Sequence, residues 1–192
     1  MNSIKVLGLC GFARCGKDTF FSITKGYLPN MGLKPFRISF ADALKDDVRE
    51  FLLDKTGIDS FTEKTEEKEI IRDFLVAYGT KLMRKINNKC WIEKITNTIE
   101  EKVALGYLPV LTDVRYENEL DWVKSLGGSN IHITRVGNPP ANEEEANNDP
   151  ILKNKADHKF IWEDFGDVMS GQDVYYVKSA LDEVFENELA VK

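Results

Sequence analysis

The residues best equipped for chemistry stand in one nonapeptide, Gly11-Phe12-Ala13-Arg14-Cys15-Gly16-Lys17-Asp18-Thr19. Its glycines let the backbone turn N–H groups inward around a phosphate chain. The nonapeptide joins an apolar run, Ile4 to Leu9 (I-K-V-L-G-L), to a segment that reads as a helix. That helix adds the positive end of its dipole, and Lys17 reaches β- and γ-phosphates as a point charge. The generic phosphate-loop pattern is G-x-x-x-x-G-K-[ST]; here Asp18 follows the lysine and Thr19 comes one position later. A carboxylate at Asp18 can hold Mg²⁺ directly or through water, as the usual hydroxyl does, and Thr19 can bond the α-phosphate from the first helical turn. A glycine-rich turn with no ligand is the alternative; strand, glycines, lysine and helix together argue against it.

A second group of candidates lies further on. Leu108 to Thr112 (L-P-V-L-T) read as a short buried strand running into Asp113-Val114-Arg115. At i and i+2 a carboxylate and a guanidinium leave a strand end on the same side, which suits Asp113 for Mg²⁺ or a substrate hydroxyl and Arg115 for a phosphate. A mutual salt bridge capping the next helix is the competing use. Thr80 and Arg84 are one turn apart on a predicted helix, so that hydroxyl and guanidinium converge on one anion, and Arg72 lies further up the same helix. A surface ion pair with a neighbouring Glu or Asp explains either arginine as well. Lys45 falls near the carboxyl end of a strand, where it is either a phosphate contact or a solvated lysine. His132, between two isoleucines, reads as a core or half-exposed strand histidine rather than a catalyst, and Arg135 ends its strand.

A helix follows the loop over Thr19 to Lys25 and stops near Gly26. Pro35 to Phe40 alternate as a second strand, and Ala41 to Leu53 form a helix. Asp54 to Thr65 read as a flexible loop. Glu66 to Ile86 then form one long amphipathic helix with Ile71, Phe74, Leu75, Tyr78 and Leu82 as its buried stripe. Gly79 inside it marks close approach by another segment or a ligand. Trp91 to Ala104 and Glu117 to Leu126 are helices, and Ile131 to Val136 a strand. Gly137 to Asp149 hold two prolines, four asparagines and no large apolar residue, so this stretch reads as a mobile excursion, either a lid over the phosphate site or an acidic surface loop. Phe160 to Phe165 and Asp167 to Met169 allow a last strand, and Val174 to Leu189 a closing helix. Strands alternating with helices predict an α/β fold with a mainly parallel sheet and helices on both faces.

The chain has 192 residues, the size of one compact domain with a sizeable core, and its 42% hydrophobic and 30% charged residues fit neither a disordered chain nor a membrane protein. The start M-N-S-I-K runs straight into the first strand and leaves no room for a signal peptide, so a cytoplasmic protein is expected. Cys10, Cys15 and Cys90 lack disulfide or zinc spacing and read as reduced thiols. Cys15 sits where backbone dipoles would lower its pKa. A net charge of −6 and a pI near 5.1 disfavour a nucleic-acid partner, whereas local arginines still suit a small phosphorylated ligand.

Taken in order, these residues resemble the bacteriophage deoxynucleoside monophosphate kinases. The loop G-F-A-R-C-G-K-D-T, with Asp after the lysine, is similar to that family's phosphate loop. Arg72, Gly79-Thr80 and Trp91 resemble its arginine, G-T pair and downstream tryptophan, T-D-V-R-Y-E-N-E its aspartate-x-arginine strand end, and I-H-I-T-R-V-G its later strand. The matches run from residue 4 to about residue 137. The resemblance implies a three-layer P-loop NTPase fold of the nucleoside monophosphate kinase type, with a lid-like segment at about 136–158. It also implies transfer of the ATP γ-phosphoryl group to a small-molecule deoxynucleoside 5′-monophosphate, as phage members do to supply DNA precursors. In its terms Gly11, Arg14, Gly16, Lys17, Asp18 and Thr19 bind ATP, and Asp18, Thr19 and Asp113 hold Mg²⁺. Joined to the positions of Lys45 and Arg84 read above, the resemblance gives Lys45, Arg72, Thr80, Arg84, Trp91 and Arg115 as expected acceptor-binding residues, and Lys17, Asp113, Arg115 and Arg135 as expected to serve transfer.

The chain departs from the family pattern at Val76 and Lys81, where glutamine and an acidic residue are common, at Ala156-Asp157-His158-Lys159 in the lid, and at Met169-Ser170-Gly171-Gln172. These positions bear on base choice and lid chemistry more than on phosphoryl transfer. Competing readings are another small-molecule P-loop kinase, such as one resembling dephospho-coenzyme A kinase or phosphomevalonate kinase, and a non-catalytic nucleotide-binding protein. A GTPase is the third, since Asp54-Lys55-Thr56-Gly57 fits D-x-x-G and Asn154-Lys155-Ala156-Asp157 fits N-K-x-D. The helices around Trp91 and Trp122 offer faces for a homodimer, or bury both rings in a monomer.

Overall fold

The computed structural model describes residues 4–162 and 170–186. Its backbone divides into two compact units, residues 1–38 with 99–192, and residues 39–98.

The first unit is built on five parallel strands: β1 (Leu7–Cys10), β2 (Pro35–Ile38), β3 (Leu108–Val114), β4 (Ser129–Arg135) and β5 (His158–Trp162), in the order β2-β3-β1-β4-β5. Helices flank them: α1 (Lys17–Tyr27), α6 (Glu117–Ser125), α7 (Glu143–Lys155) and α8 (Gly171–Glu186). The period-2 alternation of the strands sorts the two faces. Leu7, Leu9, Ile131, Ile133, Phe160 and Trp162 pack with Phe20 and Ile23 of α1 and Val177 and Leu181 of α8. Asn130 and His132, on the opposite face, meet α6 and α7: the Asn130 amide donates to the Leu120 carbonyl at 3.3 Å, and His132 bonds Asp149. Because β1 lies between β3 and β4, the chain crosses from one side of β1 to the other after β3. In open parallel sheets the crevice at the strands' carboxyl ends opens at such a reversal.

The second unit contains α2 (Phe40–Thr56), α3 (Thr65–Val76), a π-helical stretch (Ala77–Met83) and α4 (Arg84–Ile86). It also holds the first turns of α5 (Cys90–Ala104). Ser39 caps α2 by accepting the Asp42 N–H, and Gly57 closes it in the left-handed conformation. Val48, Leu52 and Ile71 form its small core, with Ile58, Phe74, Leu75 and Tyr78 against them.

Two expectations change. The long helix from Glu66 is not uniform, because a π stretch interrupts it, and Leu82 is exposed rather than part of the buried stripe. The segment Gly137 to Asp149 is not wholly irregular: from Glu143 it is helix α7, with Pro150 inside it, started by the Asn142 side chain accepting the Glu145 N–H. The strand expected at Asp167 to Met169 lies outside the described residues. No described helix is long and apolar enough to cross a membrane.

Candidate active site

The nonapeptide leaves β1 at Cys10 and enters α1 at Lys17. Three of its residues have positive φ, Gly11 at 127°, Arg14 at 61° and Gly16 at 92°. Only glycine fits at Gly11, where a Cβ would stand 2.1 Å from the Ile133 carbonyl oxygen. These turns wrap the loop around Lys17, whose ammonium donates to the carbonyls of Gly11 at 2.8 Å and Phe12 at 2.6 Å. Asp18 is exposed in the first turn of α1, beside the half-buried Thr19.

Register brings the neighbouring strand ends to this loop. Cys10 pairs with Val114 on one side and His132 on the other. Between Gly8 and Cys10 the β1–β3 register slips by one residue, opposite Thr112 and Asp113. Such irregularities re-aim a side chain at a strand end, and here Asp113 stays half-buried while Arg115 is exposed just past the strand. The carboxylate of Glu119, wholly buried, accepts the backbone N–H groups of Arg115 at 2.8 Å and Tyr116 at 3.1 Å, which fixes the turn after β3 and caps α6. Arg135 ends β4 and pairs in register with Trp162.

The segment 136–158 touches the loop directly. One carboxylate oxygen of Glu145 accepts the N–H groups of Ala13 and Ala141, each at 3.1 Å. The other lies 3.8 Å from Arg115 Nη1. The Asn138 amide donates to the Ala13 carbonyl at 2.9 Å. Further along α7, Asp149 lies 2.9 Å from His132 Nε2, so His132, 2% exposed, is a bonded core histidine. Neither Glu145 nor Asn138 stood out in the sequence. Glu145 stands only in an acidic first turn after the Asn142 cap, a pattern shared with many surface helices, and Asn138 lies in the irregular stretch before it.

Lys45, Arg72, Thr80, Arg84 and Trp91 belong to the second unit. Lys45 stands over the Phe61 ring, 5.3 Å from its centroid. Arg72 is exposed, and Thr80 and Arg84 are half-buried. The i→i+5 winding between Thr80 and Arg84 takes them out of the stacked register of a straight α-helix. The cause is local. A Cβ at Gly79 would fall 1.9 Å from Leu44 Cδ1, so a neighbouring segment explains this glycine. Its carbonyl accepts both the Arg84 N–H and the Trp91 indole N–H, the latter at 3.3 Å. Trp91, 1% exposed, therefore lies beneath the Gly79-Thr80 backbone as a support for it. Beside it, Tyr78 donates to Asp47 at 2.6 Å, and Lys94 pairs with the same carboxylate. Burial opposes the charge on Asp47, but the hydrogen bonds from Lys94 and Tyr78 outweigh it and hold this carboxyl below the usual range, while the Tyr78 phenol is pushed up to about 12.

The thiol expectation is corrected. Burial pushes the Cys15 thiol up, against the Lys17 ammonium at 3.7 Å, and pushes Cys10 up to about 12. Both GTPase-like patterns have structural uses. Asp54 to Gly57 end α2, where Gly57 is the left-handed cap. In the other, Lys155 bonds Glu117 and Asp121, and Asp157 accepts the Asn130 N–H at 2.9 Å.

Among solved structures, a dephospho-CoA kinase from Campylobacter jejuni superposes with a TM-score of 0.51 at 15% identity, covering 96% of this chain and 98% of that one. APS kinase from Mycobacterium tuberculosis, crystallised with AMPPNP and APS, gives a TM-score of 0.42 at 10% identity, over 96% of each chain. The first of these likenesses shows the fold, an α/β P-loop NTPase. No curated protein matches the chain significantly. The family described as deoxynucleotide monophosphate kinase matches residues 27–158, a stretch that begins after the phosphate loop, so loop and match are separate observations. That stretch covers well over half of the sequence, and the chain belongs to the deoxynucleotide monophosphate kinase family.

Proposed function

We propose that this protein transfers the γ-phosphoryl group of ATP to a deoxynucleoside 5′-monophosphate. The observation that supports this most is the register Val114–Cys10–His132, which aligns the ends of β3 and β4 with the phosphate loop in a chain of this family. Gly11, Arg14 and Gly16 shape the cradle for the ATP phosphates, and Lys17 exchanges its two loop carbonyls for phosphate oxygens. Phosphoryl transfer asks little covalent chemistry of a protein; it needs alignment and compensation of spread negative charge. Arg115, just past β3, and Arg135, at the end of β4, stand on either side of β1 and supply that compensation. On the second unit Lys45, Arg72, Thr80 and Arg84 serve the acceptor, with Trp91 holding the backbone of Gly79 in place.

Asp18, Thr19 and Asp113 are the residues that would hold Mg²⁺. Among the described residues no group of three or more His, Cys, Asp or Glu forms a metal cage. Two carboxylates and a hydroxyl suit an ion that keeps several waters and binds otherwise through the substrate's phosphates. When bound, Mg²⁺ neutralises charge on the β- and γ-oxygens.

The test is ADP release from ATP and Mg²⁺ with dAMP, dGMP, dCMP, dTMP, dUMP, 5-hydroxymethyl-dCMP, the ribonucleotides, dephospho-coenzyme A and no acceptor in parallel. Release that depends on a deoxynucleotide supports the proposal and names the base. Release with dephospho-coenzyme A alone assigns another acceptor, and release without acceptor indicates a hydrolase.

A further inference from the structure

We infer that Glu145 is a built-in competitor for phosphate at the loop, an acidic latch that the incoming nucleotide must displace. The inference rests on reading the loop as the ATP site. Ala13 lies in the middle of the phosphate loop, and its N–H is one of the donors such a loop turns toward an anion. Here that donor is taken: it points to Glu145 Oε2 at 3.1 Å, while Arg115 stands 3.8 Å from Oε1. A backbone N–H and a guanidinium around one carboxylate form the environment that a phosphoryl oxygen would require. The carboxylate is largely enclosed, with 12% of its side chain exposed.

The same segment also grips the loop from the other side, since the Asn138 amide donates to the carbonyl of Ala13. Both backbone polar groups of one loop residue are thus bonded by residues seven positions apart on either side of the α7 cap. Three features keep Glu145 in place: the Asn142 side chain accepts its backbone N–H, its carboxylate closes back on the Ala141 N–H, and Asp149 anchors α7 to His132. An N–H bonded to a carboxylate cannot serve a phosphate oxygen at the same time, and two anions at one donor repel. Nucleotide binding therefore withdraws Glu145 and transfers Arg115 from carboxylate to phosphate. Until then the latched form lowers the apparent affinity by the fraction of molecules that are open.

Equilibrium titration of the full chain with ATP, tripolyphosphate and adenosine tests the latch in wild type, Glu145→Ala, Asn138→Ala and Glu143→Ala. Glu143 carries the same charge in the same helical turn with an exposed side chain, so its variant reports the general effect of losing one negative charge. The expected result is that Glu145→Ala tightens ATP and tripolyphosphate about fivefold or more and Asn138→Ala about twofold, with adenosine unaffected. Asn138→Ala removes no charge, so it decides the matter if Glu145→Ala does not fold. Unchanged or weaker ATP binding by both variants overturns the latch, as does a gain no larger than that of Glu143→Ala. Wild type that binds ATP but phosphorylates no acceptor refutes the proposed function and leaves the latch standing. Transfer by wild type with no gain in the variants refutes the latch alone. If no form binds ATP, both fall.

Discussion

The ammonium of Lys17 donates to the carbonyl of Phe12 at 2.6 Å, so the lysine side chain is held by its own loop. This contact is local and half-buried, and its loss should cost no more than about 1 kcal/mol of stability. Removing the charge at the transferring phosphates is far more serious. Lys17→Ala should lower kcat/KM by about 10³ or more while denaturant unfolding stays close to wild type. Steady-state kinetics with a urea titration on the same preparation measures both; retained turnover contradicts the role of Lys17.

Gly11 combines φ of 127° with a Cβ position 2.1 Å from the Ile133 carbonyl. Gly11→Ala must strain the loop and push β4 aside, at a cost of about 3 kcal/mol when backbone strain and overpacking are added. Chemical denaturation should show this loss, and ATP binding should fall with it. A variant as stable as wild type would mean that the loop adopts another path.

Asp149 holds the buried imidazole of His132 at 2.9 Å, and Thr134 Oγ1 lies 3.3 Å from the other ring nitrogen. Asp149→Ala leaves one ring nitrogen without its partner in a water-poor place and should destabilise by about 2 kcal/mol, whereas Asp149→Asn retains a hydrogen bond and costs less. Urea midpoints separate the two; equal values near wild type contradict the anchor.

In the second unit, Tyr78 keeps its proton to about pH 12 because its hydroxyl bonds Asp47, against a usual value of 10.0. A raised pKa favours the folded state fully below pH 10, and this share of stability is lost as pH rises from 10 to about 12, where the unfolded phenol ionises first. Asp47 works at the other end: its lowered carboxyl supports folding above its usual pKa, and that support fades as pH falls through the folded value. Melting temperature against pH should therefore show a stability difference between wild type and Tyr78→Phe that shrinks above pH 10. A constant difference would refute the coupling.

Much of this arrangement is legible in the sequence where chemistry is local. The run from Leu7 through Gly11, Gly16 and Lys17 declares strand, turn and helix within a few residues, and Leu108 to Arg115 declares a buried strand with a polar end. Tertiary forces hide the remainder. At the π stretch Leu44 occupies the space that a Cβ at Gly79 would need and Trp91 bonds the Gly79 carbonyl, and neither neighbour is adjacent in sequence. Helix α7 has no continuous apolar stripe and contains Pro150, so periodicity reads it as a loop. It is held by Leu152 in the interior, Asp149 on His132 and Glu145 on Ala13. Cys15 shows the opposite failure: its place in the loop suggested an acidic thiol, but burial is a property of the packed fold and dominates.

The most direct measurement follows the phosphoryl group itself. ATP labelled in the γ-phosphate is incubated with Mg²⁺, the full chain and each deoxynucleoside monophosphate, and the products are separated. The account predicts label in a deoxynucleoside diphosphate with wild type and none with Lys17→Ala. Label released only as free phosphate, or transfer that survives loss of Lys17, would contradict it.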